Sequence, residues 1–199
     1  EAFTKLHGKC SGIVYGGSSR KQKRNFQIGN KISLNWRSKG QNRSGYFNVE
    51  LIKPVSAKFF DDKKRSICIL SSTSILKILL PESEINKKIY NSFDLMLNNL
   101  DSENWINLYI YWELSLIKEL GFETDFLNKN NFYLDSILVN NKSFTIPTFL
   151  SKKDKNDPND NRDIKEALIF NKNLLTENFI IPNRLKLPFF RTLLESYYN

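Results

Sequence analysis

The residues with the clearest chemical potential are four cations, Arg20, Lys21, Lys23 and Arg24, set within five positions behind the turn Gly16-Gly17-Ser18-Ser19. Guanidinium and ammonium groups at that density suit the phosphates of a polyanion, and a glycine turn lets backbone N–H groups approach an anion closely. The segment reads as a basic loop between two strands. Lys31, Arg37, Lys39 and Arg43 extend the cationic surface along the hairpin that follows. Tyr15 and Tyr46 are the candidate aromatic surfaces for base stacking. Trp36 alternates in phase with Ile32 and Leu34, which assigns it to core packing rather than stacking.

Other chemistry has little to stand on. The single histidine, His7, falls in a turn and reads as a surface residue. No His, Cys and carboxylate cluster has metal-ligand spacing, and the glycine turn lacks the GxxxxGK[ST] pattern of a P-loop. Glu113 and Glu119 read as ordinary helix residues. No catalytic residue, metal or cofactor is expected, and the chain is read as a non-enzyme.

The charge distribution supports a polyanion partner. The 199 residues carry a net charge of +9, and residues 1–65 hold 15 Lys/Arg against 4 Asp/Glu, whereas residues 66–199 hold 15 against 17. The first third therefore carries the whole excess. A composition rich in Lys, Asn, Ile and Phe accounts for lysines everywhere but not for that asymmetry. No apolar run of about 18 residues is present. Two cysteines, Cys10 and Cys68, build no disulfide framework, which suits a reducing, cytoplasmic setting. The chain opens on Glu1 in what reads as the interior of a domain, so a missing N-terminal strand is expected.

These residues must be positioned by a small β-domain. Residues 9–15 read as a strand, and period-two alternation over Ile32, Leu34, Trp36 and then Phe47, Val49, Leu51 predicts a β-hairpin. The period then becomes helical. Helices are expected over 62–80, from Pro81-Glu82-Ser83-Glu84 to Leu100, and over 103–120, the last capped by Asp101 or Ser102 and stopped by Gly121. Short strands are expected at 133–139 and 144–150, a polar loop at 151–161, and helices at 164–179 and 187–197 with a break at Pro182-Asn183. The fold class is α+β: a small antiparallel sheet or barrel over 1–58 that lacks its first strand, then a helical domain over 59–199 with a small irregular or β insertion at about 122–160.

The run His7-Gly8-Lys9-Cys10-Ser11-Gly12-Ile13-Val14-Tyr15-Gly16-Gly17, the basic residues and Gln27-Ile28-Gly29-Asn30 resemble the early region of the RecO family of DNA repair proteins. Trp112-Glu113-Leu114 followed by Glu119-Leu120-Gly121-Phe122 resembles that family's "FELxLLxxLGF" segment. Phe179-Ile180-Ile181-Pro182 through Leu185, Pro188, Arg191 and Leu194 resembles its C-terminal helices. The resemblance is to members of alphaproteobacterial type. It implies an N-terminal OB-fold, a helical domain and a recombination-mediator role. It further implies binding of single- and double-stranded DNA, annealing of complementary strands, work with RecR, and loading of RecA onto DNA coated with SSB, whose C-terminal tail would be a partner. Three departures stand out, the first being that the family's opening strand is absent. Tyr15 occupies a position where the family often has a cation, and no cysteine lies at 122–150, where many members carry a four-cysteine zinc site. An RNA-binding or ribosome-associated OB protein is the alternative, separable by competition between matched DNA and RNA oligonucleotides.

Overall fold

The structure is a computed structural model that describes residues 1–37, 46–123, 134–151 and 160–198, the side chains of Lys21 and Ser151 excepted. Lys39 and Arg43 lie outside the described residues, as do most of the polar loop at 151–161 and the beginning of the strand expected at 133–139. Close packing divides the chain into two units, Glu1–Tyr90 and Asn91–Asn199.

Alternating apolar residues build the β elements of the first unit. Strand β1 (Ala2–Thr4) pairs antiparallel with β2 (Gly8–Cys10), and β3 (Lys31–Arg37) pairs antiparallel with β4 (Tyr46–Lys53). Ile32, Leu34 and Trp36 stand opposite Leu51, Val49 and Phe47, as the sequence period requires. The strand expected over 9–15 covers only its first two residues. Beyond Cys10 the chain continues as an extended strip that makes one bridge to β4, Ile13 beside Tyr46, with the Phe47 N–H donating to the Ile13 carbonyl at 2.8 Å. The mixture of small antiparallel sheets and helices is as expected. Among the described residues the strands pair two by two, and no closed barrel forms.

Helix α1 (Arg20–Asn25) and the four-residue α2 (Val55–Lys58) flank the hairpin, and α3 (Lys63–Leu79) follows. Cys68, Ile69, Ile75 and Leu76 form the buried face of α3. Ser72, Thr73 and Ser74 are accommodated in it because their hydroxyls bond back to the preceding turn, Ser72 to Cys68 at 2.9 Å and Thr73 to Ile69 at 2.7 Å. Gly29 (φ +90°) lies against Ile69, where an added Cβ would come within 2.2 Å of the side chain. Only glycine fits there.

Asp62 caps α3, its carboxylate accepting from the Arg65 N–H at 3.0 Å and from the Arg65 guanidinium at 2.5 Å. Burial opposes the charged form, but the hydrogen bonds from Arg65 and its positive charge outweigh that and hold the carboxyl below its ordinary value. A depressed carboxyl stabilises the fold above its unfolded pKa, and the contribution is lost as pH falls through the folded value. Asp62→Ala is expected to cost about 0.5–2 kcal/mol at neutral pH. Urea unfolding should show the gap between variant and parent closing on acidification.

The helix expected from Pro81 starts six residues late, as α4 (Lys87–Asn98). Glu82 and Ser83 are held by β2 instead: Ser83 N–H donates to the Lys9 carbonyl at 2.8 Å, and the Ser11 hydroxyl to Glu82 at 2.5 Å. Ser83 has φ +62°, which a right-handed helix does not allow. Asn86 caps α4 through the Ile89 N–H at 2.9 Å.

In the second unit, α5 (Trp105–Glu119) is the most apolar helix and buries Tyr109, Ile110, Leu116 and Ile117 completely. Asn104, not Asp101 or Ser102, precedes it, because the Ser102 hydroxyl turns back to Asn99. Gly121 does stop α5. At φ +100° it lets its own N–H reach the Lys118 carbonyl and the Phe122 N–H reach Ile117. Strands β5 (Ser136–Val139) and β6 (Lys142–Thr145) form a hairpin through Asn140 and Asn141, both with positive φ. A short helix α6 (Thr148–Ser151) replaces the end of the strand expected to reach 150. Helix α7 (Asn161–Leu175), capped by Asp160, runs into a wider turn over Thr176–Ile180, and α8 (Phe189–Ser196) follows Pro188. Among the described residues, no helix is long and apolar enough to cross a membrane.

Glu113 is not an ordinary helix residue. It and Arg191 are both fully buried and joined through two guanidinium nitrogens, Nε to Oε1 at 2.5 Å and Nη2 to Oε2 at 3.0 Å. The Tyr109 hydroxyl donates to the same carboxylate at 2.7 Å, and the Asn171 amide at 3.2 Å. Arg191 also donates to the Leu168 carbonyl, while Glu195 pairs with Lys172. One carboxylate thus ties α5, α7 and α8 together.

Candidate nucleic-acid interface

The basic segment is a helix, not a loop. Ser19 caps α1 by accepting from the Gln22 N–H at 3.3 Å, and Asn25 donates to the Gln22 side chain at 3.1 Å. Lys23 and Arg24 fall in the last turn, where cations complement the helix dipole. The preceding turn spends its amides internally: Gly17 N–H donates to the Val14 carbonyl at 3.2 Å, and Ser19 N–H to Gly16 at 3.0 Å. Gly16 sits at φ +70°, so the glycine serves the turn geometry. Those two N–H groups are not aimed at an anion, and the groups this segment leaves open are the side chains of Arg20, Lys23 and Arg24, all exposed.

Asn30 fixes the far end of this helix. Its amide donates to the Arg24 carbonyl at 3.0 Å, and its oxygen accepts from the Ser56 N–H at 3.1 Å. The Ser56 hydroxyl in turn donates to the Ile28 carbonyl. The basic helix is therefore pinned to the start of α2. Residue-by-residue reasoning missed this role, although Asn30 belongs to the quartet Gln27–Asn30 that carried part of the family resemblance.

The hairpin separates the remaining candidates into two sides. Val14, Phe26, Ile32, Leu34, Phe47 and Val49 line an apolar groove of about 250 Å³. Phe26 ends α1, so α1 and its cations lie on this side. Arg37 alternates to the opposite side, directly across from Tyr46, whose ring centroid lies 5.2 Å from that of the exposed Tyr15. The structure thus brings Tyr15, Tyr46 and Arg37 together, but away from α1. Lys31 is half-buried beside an irregularity in the pairing, six residues and about 20 Å from Arg37. Lys21 lies within α1.

Trp36 corrects the sequence reading. It is on the groove side, in phase with Ile32 and Leu34, but it is 52% exposed. Alternation set the side correctly, yet cover runs out after Leu34 and the last three residues of β3 are exposed. Its ring meets Phe47 edge-on, with centroids 4.8 Å apart.

Among the described residues, no group of three or more His, Cys, Asp or Glu could hold a metal ion. What this surface offers is cation and aromatic chemistry.

Comparison with known proteins identifies relatives of the chain. The family model described as "Recombination protein O C terminal" matches residues 61–159. The "DNA repair protein RecO" of Ehrlichia chaffeensis is 35% identical over 153 residues, covering 76% of this chain and 58% of that protein. The protein of the same name from Wolbachia pipientis subsp. Culex pipiens is 39% identical over 127 residues, covering 62% of this chain and 51% of its own length. The one from Hyphomonas neptunium is 34% identical over 128 residues, covering 63% and 53%. The chain thus spans little more than half the length of these curated relatives. The order of the motifs, the match over 61–159 and these relatives place the chain in the RecO family.

Proposed function

We propose that the chain is a non-enzymatic DNA repair and recombination mediator that binds DNA through the cations of α1, helped by Arg37, Tyr15 and Tyr46 on the other side of the hairpin. One observation carries this reading: Arg20, Lys23 and Arg24 are exposed on a short helix fixed at both ends, by the Ser19 cap and by Asn30. A helix held at both ends presents its cations to a phosphate chain without further ordering of the backbone. The relatives' printed role in DNA repair supports the same reading. Screening of two phosphate backbones by these groups would let complementary strands meet and anneal. The protein partners would be RecR, the SSB tail and, through them, RecA. No zinc is required in this scheme.

The test is electrostatic. Neutralising four phosphates predicts an affinity loss of about 50- to 150-fold between 50 and 200 mM salt. A salt-independent affinity overturns the reading. A strand-annealing assay with and without SSB, over the same salt series, then checks the mediator activity itself.

A further inference from the structure

We propose that Trp36 is a nucleobase-stacking residue, and that the strand it receives is single-stranded and lies on the α1 side of the hairpin. This rests on the reading above and deepens it by assigning the ligand's form and its side. Trp36 leaves 52% of its surface to solvent. It packs against the Phe47 ring with centroids 4.8 Å apart, and the backbone at Gly12 abuts both rings, since an added Cβ there would lie 2.3 Å from Phe47 and 3.1 Å from Trp36. The indole is therefore packed on one side while much of its surface stays open, which is the preorganisation that stacking needs.

Its neighbours supply the charge. The groove bordered by Phe47 and Gly12 is also lined by Gly17 and Phe26, which bracket α1. A strand whose phosphates meet Arg20, Lys23 and Arg24 thus runs on the side where Trp36 is open. Duplex bases are already stacked on one another, so an indole platform favours unpaired ones.

The test uses the protein's own fluorescence. Trp105 and Trp112 are only 6% and 3% exposed, so acrylamide quenching reports chiefly on Trp36. Binding of oligo(dT) at low salt should quench the emission and shield it from acrylamide, whereas a blunt duplex bound to the same extent should not. Trp36→Ala should lower oligo(dT) affinity about 10- to 100-fold, with duplex affinity and the salt slope unchanged, and Trp36→Phe should fall between. The proposal is overturned if the parent binds oligo(dT) with the expected salt dependence while Trp36 stays equally accessible. It is also overturned if Trp36→Ala binds both ligands like the parent. In either case electrostatic DNA binding survives. A parent that binds no DNA at all removes both.

Discussion

Arg191→Met is expected to destabilise the protein by about 3–5 kcal/mol, because it leaves the Glu113 carboxylate buried without its cation. Both side chains are fully buried, so water cannot replace the lost partner. Tyr109 and Asn171 would still donate to the carboxylate, but two neutral donors do not compensate a charge in that setting. Burial alone would pull the guanidinium down. The charge of Glu113, with Tyr109, the hydrogen bonds to Glu113 and Glu195, overcomes this and holds it above its ordinary value. A raised basic group contributes below its unfolded pKa and fails only as pH rises through the folded one. The guanidinium therefore keeps its charge as pH rises, and mild base should not mimic the mutation. The double variant Glu113→Leu/Arg191→Met is expected to recover most of the loss, since removing both charges removes the desolvation penalty with them. Urea midpoints of the single and double variants check this. A double variant as unstable as the single one would show that the pair's geometry, not its charge balance, is what the fold needs.

The second large effect is on DNA. Arg20→Gln/Lys23→Gln/Arg24→Gln is expected to weaken binding about 100- to 500-fold at 0.1 M salt and to flatten the log–log salt slope by about 2 to 3. Glutamine keeps each side chain long and polar, so α1 itself should survive. Its cap and its tie to Asn30 use none of the altered side chains. Titrating a labelled oligonucleotide across a salt series gives both quantities from one data set. Retained affinity with an unchanged slope would mean that the cationic helix serves an acidic protein, not a nucleic acid.

Much of this was legible in the residues. The hairpin followed from alternation at Ile32, Leu34, Phe47 and Val49, because a half-buried strand writes its period directly into the sequence. Gly121 announced the end of α5 through the left-handed conformation such a stop requires. What failed did so for non-local reasons. Pro81-Glu82-Ser83-Glu84 has a helix-start composition, but its backbone is engaged by Lys9, more than seventy residues earlier. The Gly16–Arg24 run carries both turn and helix signals, and the Ser19 cap decides between them. Glu113 looked ordinary because its partner lies far along the chain. At the candidate site, the sequence named the cations and tyrosines but not their sides, which depend on where Phe26 packs. Trp36 had the right phase and the wrong exposure, since alternation fixes direction and not cover.

The distance between Glu113 and Arg191 has a consequence for biosynthesis. They are 78 positions apart, so at about 5–20 residues per second the carboxylate waits roughly 4–16 s on the ribosome for its counter-ion. Through that interval α5 carries an apolar surface with an uncompensated charge in its middle, a poor seed for premature collapse. Helix α8 then acts as a latch: its arrival neutralises the charge and ties α5, α7 and α8 in a single late step. Nascent chains halted before residue 191 should consequently be the protease-sensitive ones.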